Sequence, residues 1–428
     1  VPAPYACESD LQCVKAGEFG RCENVGYCSY DDDACPSHRR WGPYAAESLA
    51  DACLDDAASS GSGTGSGTGS SMDGGGSGGG SGDTTTTATP SDCDSWPDGA
   101  THGRPLSWTG FGPVQDFPIL VVLTPERIDY AATAPLGADL HFIDEAGVEL
   151  PFEVATWNPG GESFVWVKLP EVTPAPGQVQ MHYGGSATHT TVEGTAVWAA
   201  GFRGAWHFDD AFTSAKADGY DVAAVAVPFE PGQVGAAIRI AATGQATVGS
   251  GFEDMFASAG TASAWVRIDV TFGQLAGAIL DRGSSGLGDD GFALSVQRTS
   301  DNGVLEFRRQ FTDNISWETP PLAVSPQTWH HVAAVMTSDG GAPRVDIYVD
   351  GVNAGATTSD RPPFGPPFDD PTVPELAIGG DAGGGSPLLG LVDELRLSDI
   401  ARDAAWIDAE FRSGRDELLT YGDETRCP

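Results

Sequence analysis

Two carboxylates on one strand face, spaced to flank a glycosidic bond, would supply an acid and a nucleophile or base. The nearest acidic strand in the sequence is VDELRL at 392–397, where a strict period of two sets Asp393 and Glu394 on opposite faces. Adjacent residues so placed cannot both flank one bond, so glycan hydrolysis ranks last among the functions considered. The histidines are His38, His102, His141, His182, His189, His207, His330 and His331; they form no H-E-x-x-H and no pair at zinc-knuckle spacing. His330 and His331 fall on opposite faces of one strand and read as structural or solvent-facing. Gly75-Gly76-Ser77-Gly78-Gly79 spells a nucleophile elbow but lacks the strand before it and the helix after it. No Walker loop or G-x-G-x-x-G lies between a strand and a helix. No nucleophile, base and orienter assemble from spacing, and the chain reads as a non-enzyme.

Sugar recognition needs exposed aromatics that stack on pyranose faces, beside carboxylates and amides that bond the hydroxyls. Trp317 in NISWETPP, and Phe364 and Phe368 in RPPFGPPFDD, read as loop aromatics with polar neighbours and are the candidate ligand-binding residues. Trp206, Trp265 and Trp329 lie in apolar strands and read as core.

The elements that would position such residues are strands. In WHHVAAVMTSDGGAPRVDIYVDG, 329–351, Val332, Ala334 and Met336 alternate with Ala333, Val335 and Thr337, and Val345, Ile347 and Val349 alternate with polar residues. Asp339-Gly340-Gly341 supplies the turn, and the whole reads as an antiparallel hairpin in a β-sandwich. Apolar strands FPILVVL, DLHFID and SFVWVKLP make a second β unit within 102–185. After the hairpin region, Asp399 is the expected cap of a short helix presenting Ala404, Ile407 and Phe411 on one face, with Gly414 as its stop.

The composition sets further bounds. A net charge of −38, with 22 Lys and Arg against 60 Asp and Glu, leaves no basic patch for nucleic acid or an anionic membrane. No run of 18 apolar residues occurs, so no membrane span is expected. No apolar leader precedes Cys7; a secretory signal, if one was made, would already be removed. Six of the 8 cysteines crowd residues 1–55, the pattern of a disulfide framework in an oxidising compartment, with zinc disfavoured by the absence of C-x-x-C. Their pairing is one of 15 possibilities. Residues 56–92 are rich in Gly, Ser and Thr and read as a flexible tether with a reach on the order of 30–35 Å. The expected division is a disulfide-rich module at 1–55, the linker at 56–92, a β-sandwich at 93–198 and a jelly roll at 199–428.

Four segments in order, GAWHFDD at 204–210, ASAWVRI at 262–268, WHHVAAV with VDIYVDG, and GLVDELRLSD at 390–399, resemble the laminin-G-like modules of the concanavalin A-like lectin and glucanase superfamily. That resemblance implies a jelly roll of two antiparallel sheets over about 201–421, in a superfamily that includes sugar binders, adhesion modules and glucan hydrolases. The glucanases carry an E-x-D-x-x-E strand, which this sequence lacks. Members of the family often hold calcium with acids of the first strand, a nearby loop and the last strand; the matching positions here are Asp209 or Asp210, Asp218 and Asp393, with Asp210 standing where Glu is usual. The segments HGRPLSWTG to VQMHYGG resemble a bacterial surface-protein domain of unknown function. The N-terminal cysteine pattern resembles modules in secreted proteins of myxobacteria.

The fold class that follows is all-β, with two β-sandwich domains, the second a concanavalin A-like jelly roll, and a small disulfide-rich N-terminal module. The expected function is binding at the cell surface or outside the cell, by adhesion or glycan recognition, with a glycan or surface protein as partner. A self-associating structural subunit of a fibre or coat is the alternative, and calcium is the one cofactor implied. Cys93 and Cys427 are the only cysteines outside the N-terminal cluster and flank the two sandwiches. They are expected to pair, which requires the sandwiches to pack side by side.

Overall fold

In the computed structural model the described residues of the N-terminal part are 14–15, 18–19, 21–22, 28–31, 35, 39–41 and 53. The remainder is described over 86–87, 93 and 95–427, apart from 187–193, 200, 210, 217, 253, 257, 270–276, 283–290, 300–301, 311–313, 322, 339–342, 359–374 and 381–385. The chain divides into two compact units, Val1–Ser81 and Gly82–Pro428.

The first unit contains short strands. Val14–Lys15 pairs with Glu18–Phe19, and Arg21–Cys22, Cys28–Asp31 and Arg39–Trp41 make a three-stranded sheet. Cys35 is bonded to Cys53 with Cα atoms 5.4 Å apart, which resolves one of the open pairings.

The second unit holds both sandwiches. Strands β1 (His102–Trp108), β2 (Val114–Leu123), β3 (His141–Asp144), β4 (Phe152–Thr156), β5 (Ser163–Val172) and β6 (Gly177–Tyr183) build the first. Its sheets run β4-β5-β2 and, on the other side, Thr86–Thr87, Thr425–Arg426, β1, β6, β3. The second sandwich uses β7 (Phe202–Trp206), β8 (Gly260–Ile268), β9 (Gly277–Arg282), β10 (Gly291–Thr299), β11 (Asn302–Gln310), β12 (Asn314–Glu318), β13 (Trp329–Thr337), β14 (Arg344–Val349) and β15 (Gly390–Ser398). One sheet includes β15-β8-β13-β14, with β7 also on β15; the other includes β9-β10-β11-β12. All of these pairings except Thr425–Arg426 with Thr86–Thr87 are antiparallel.

The hairpin read from sequence is β13 and β14, paired Val332↔Val349 through Thr337↔Arg344. Val332, Ala334 and Met336 enter the core of the second sandwich, as the alternation requires. The opposite face is also covered: Ala333, Val335 and Tyr348 join a second core that includes Phe117, Trp166 and Trp198 of the first sandwich half. Between them lies α1 (Ala404–Ser413), whose Trp406, Ile407 and Ala409 belong to that same shared core. The helix packs edge-on against Phe117 through Trp406, ring centroids 5.1 Å apart. Asp399 is not its cap. Asp403 is, accepting from Trp406 N at 2.9 Å, while Asp399 pairs with Arg203. The segment from 399 to 403 remains extended before the helix begins, so the cap falls four residues later than its first acidic candidate.

The last residues return to the first sandwich. Thr420–Tyr421 and Thr425–Arg426 both pair with β1, so residues 420–426 complete a sheet of the first sandwich, although the jelly roll was expected to run to 428. Cys427 thereby comes to Cys93, bonded at an Sγ–Sγ distance of 1.99 Å.

Candidate functional site

Alternation along β15 breaks at one residue. Ser263 and Trp265 of β8 face Arg396 and Asp393, so one residue of β8 opposes two of β15, and Glu394 takes φ +48°. This is a β-bulge. Because of it the inner core takes Val392, Leu395 and Leu397, while Asp393 and Glu394 both turn away from that core. The expectation that they lie on opposite faces is corrected by this extra residue.

Turned outward, Glu394 enters a buried chain of charges between the sandwiches. Its two oxygens lie 2.8 and 2.9 Å from His207 Nδ1, and the other imidazole nitrogen is 3.4 Å from Glu153 of β4. Trp198 Nε1 donates to Glu153 at 2.5 Å. In the other direction Arg396 donates to Glu394 at 2.9 Å and to Glu410 of α1 at 2.8 Å, and His331 of β13 is 3.6 Å from Glu410. Arg396 also lies over the rings of Trp166 and Trp198, at 4.4 and 4.8 Å. The signs alternate along the chain, so each buried charge has an opposite neighbour. Burial alone would lower His207, but the charges of Glu394 and Glu153 raise it well above 6.5. Burial would raise Glu410; hydrogen bonding from His331 and the charge of Arg396 instead hold it at about 2. Glu394 is likewise lowered against its burial by His207 and Arg396. Glu153 and Glu410 had no motif to signal them, and His207 and Arg396 lie in GAWHFDD and GLVDELRLSD, which gave them no role. The arrangement is a buried weld between two sheets and a helix.

A second pair of carboxylates holds a turn. Asp393 Oδ2 accepts from Gln233 N and Val234 N at 2.8 and 2.9 Å, and Asp209 Oδ1 accepts from Ala236 N at 3.0 Å. Asp209 Oδ2 accepts from Thr156 of the first sandwich at 2.6 Å. Burial first, then the nearby charge of Glu394, raises Asp393 well above 3.8. The turn fits over these oxygens because it has glycines at 232 and 235: a Cβ on Gly232 would come within 2.6 Å of Asp393 Oδ2, and one on Gly235, at φ +61°, would fall on Asp209 Oδ1.

Of the calcium set, Asp210 lies outside the described residues. Asp218 pairs with Lys216 at 3.8 Å and accepts from Tyr220 N. Asp393 is fully buried with one oxygen already on two amides, although its Oδ1 has no partner among the described residues. Among the described residues no three His, Cys, Asp or Glu side chains converge as metal ligands. Asp209, the other first-strand position, does come together with Asp393 at the turn of residues 232–236, whereas Asp218 is engaged by Lys216.

Trp317 is corrected: it is 1% exposed, in strand β12 of the second core beside Phe307. The segment NISWETPP reads as a loop, but Trp317 pairs with Phe307 across β11 and β12 and its ring fills the interior. Phe364 and Phe368 lie outside the described residues. Trp206 is fully buried and Trp265 is 3% exposed against Phe411 of the helix, whereas Trp329 is half-buried. His330 is held by Asp350 at 2.7 Å.

The face of the β9-β10-β11-β12 sheet turned from the core is polar. Leu280, Leu294, Phe307 and Trp317 form one cross-strand row inside. The rows on either side of it face outward: Asp281, Ala293, Arg308 and Ser316 on one side, Ser295, Glu306 and Glu318 on the other. Asp281, Ser295 and Glu306 are buried, while Arg308 and Ser316 are half-buried and Glu318 is exposed. Arg308 Nε is buried without a hydrogen-bond partner among the described residues.

Residues 241–408 match a family model described as the concanavalin A-like lectin/glucanases superfamily. The second sandwich is a laminin-G-like domain of that superfamily. Residues 136–220 match DUF2341, a domain of unknown function. The DUF2341 match spans Glu153, His207 and Asp209, and the laminin-G-like match spans Asp393, Glu394 and Arg396, so the weld joins residues of both. No curated protein matches the chain. Similar solved structures include domain 4 of AbnA, a GH43 extracellular arabinanase from Geobacillus stearothermophilus, in complex with arabinotriose, at 17% identity, TM-score 0.38, covering 48% of this chain and 96% of that one. The binding domain of Paraclostridial Mosquitocidal Protein 1 is similar at 13% identity and TM-score 0.38, over 50% of this chain and 52% of that one. A Trypanosoma rangeli sialidase is similar at 16% identity and TM-score 0.36, over 58% and 42%. The chain spans about half the length of the latter two. The laminin-G-like fold supports a binding role.

Proposed function

We propose that the protein is a non-enzymatic binding protein of the cell exterior that recognises glycans through its laminin-G-like domain. The binding face is the polar outer face of the β9-β10-β11-β12 sheet. The observation that carries this reading is the half-buried Arg308 on that face, whose Nε has no hydrogen-bond partner among the described residues, in register with Ser316 and two positions along from the exposed Glu318. Sugar hydroxyls take donors and acceptors together. The Cys35–Cys53 and Cys93–Cys427 disulfides agree with an oxidising exterior, and no helix among the described residues is long and apolar enough to cross a membrane.

A glycan array tests the proposal. Wild type should retain a defined set of glycans, and Arg308→Ala and Glu318→Ala should lose it while the melting temperature stays within a few degrees. Retention by both variants would move the site elsewhere. An empty array, with concentration-dependent high-mass species in light scattering, would favour self-assembly instead, and release of reducing ends from a retained glycan would overturn the non-enzymatic reading.

A further inference from the structure

The first sandwich carries a cleft of its own. Trp96 and Thr425 form two of its walls, and Gly103, Gln180, Glu149 and His182 line the rest, around a volume of about 700 Å³. That is the size of a small-ligand pocket. We propose that this cleft binds a neutral sugar ring, at a second site separate from the laminin-G-like face.

Three features carry the inference. The first is an aromatic platform: Trp96 is half-buried, tilted over His182 with ring centroids 4.7 Å apart. An indole held in place stacks on the C–H face of a pyranose with little loss of rotamer freedom on binding. The second is an unused polar atom: His182 is 6% exposed and its Nδ1 has no hydrogen-bond partner among the described residues. That nitrogen lies beside Gly103, whose missing side chain lets the Trp96 ring pack close; a Cβ there would come within 2.8 Å of the Trp96 ring and 3.0 Å of Nδ1. Burial, with the nearby His141, keeps His182 neutral down to about pH 4, so the ring offers one donor and one acceptor, as a hydroxyl requires. The third is the charge at the rim. Glu149 lines the cleft, 2.6 Å from His141, and its carboxylate opposes an anionic ligand. Gln180 adds an amide with both hydrogen-bonding capacities.

The walls are fixed independently of any ligand. Trp96 N donates to Cys93 O at 3.0 Å, and Cys427 N donates to Thr101 O at 2.8 Å, so the disulfide between Cys93 and Cys427 ties together the segments carrying Trp96 and Thr425. Such preorganisation reduces the entropy lost on binding.

Isothermal titration of the full chain with methyl glycosides of glucose, galactose, mannose and N-acetylglucosamine tests the assignment, with sialic acid and choline as anionic and cationic probes. At least one neutral glycoside should bind. Trp96→Ala and Gly103→Ala should each weaken it by about tenfold or more, the first by removing the platform and the second by pushing the Trp96 ring out of place. Arg308→Ala should leave it unchanged, which separates this cleft from the laminin-G-like face. Should either cleft variant fail to fold, Gln180→Leu gives the same readout from a strand residue of similar volume. Binding of choline or sialic acid alone, no binding of any neutral glycoside, or binding that survives the cleft variants would overturn the proposal.

Discussion

Glu394 holds the imidazole of His207 with both carboxylate oxygens, 2.8 and 2.9 Å from Nδ1, and both residues are buried. The contact exists because one extra residue in β15 rotates Glu394 out of the core of its own sandwich and toward the other. Glu394→Gln leaves the charges of His207 and Arg396 short of their counterion. Loss of one partner of a buried pair costs about 3–5 kcal/mol, and urea unfolding should show a decrease of that order. The double variant with His207→Gln should cost less than the sum of the single ones.

Stability should fall on the acid side through Glu410. Its carboxyl is held at about 2 against an ordinary 4.5, so its contribution is complete above about pH 4.5 and is lost as the pH falls toward 2. Glu394 acts in the same direction, while Asp393 and Asp209, raised by burial, oppose it. Melting curves from pH 7 to pH 3 should therefore be compared between wild type and Glu410→Gln. The variant should melt lower at pH 7 and lose less on acidification; parallel curves would remove Glu410 from the account.

His207 carries the opposite sign. Raised well above 6.5, it contributes fully below that pH, and the contribution is lost as the pH rises through its folded value. Wild type should lose stability between neutral and alkaline pH, and His207→Gln should flatten that limb of the curve.

Gly235→Ala should destabilise the unit by about 2 kcal/mol or more, since the residue sits at φ +61° and the added methyl meets the carboxylate of Asp209. Gly249→Ala, at a glycine with negative φ and no atom within 4 Å of the new Cβ, is the control and should change little. Equal melting temperatures for the two variants would show that the turn does not rest on the carboxylate.

A non-reducing peptide map should recover Cys93 and Cys427 in one linked peptide. Their separation of 334 residues places the chain-entropy contribution near the top of the usual range, about 5 kcal/mol. Cys93→Ser should lower stability in urea by 2–5 kcal/mol on the scale of native bridges of this kind.

Much of the architecture was legible in the sequence. The alternation in 329–349 placed Val332, Ala334 and Met336 inside, because a strand in a sandwich has a period of two and nothing interrupts it there. Segregation of six cysteines left one pair outside the cluster. Legibility failed where the period was broken or partners were remote: the bulge at Glu394 has no marker in VDELRL, and Glu153 and His207 are 54 residues apart. Trp317 failed for a different reason, since polar and proline neighbours suggested a loop around a side chain that a short strand turns inward. The covered second face of β13 was also invisible, as Ala333 and Val335 are equally compatible with a solvated face or a shared core.

The bond between Cys93 and Cys427 also decides how the unit carries load. Tension applied between the segment before Cys93 and the residue at 427 runs through one covalent bridge, and the polypeptide between them, both sandwiches included, is bypassed. Thr86–Thr87 and Thr425–Arg426 run parallel at the same edge, so such a pull first shears their short ladder and then meets the sulfurs. The folded domains would keep their shape under forces that extend an unbridged pair of β-sandwiches, and their lengthening under tension would begin only after chemical reduction.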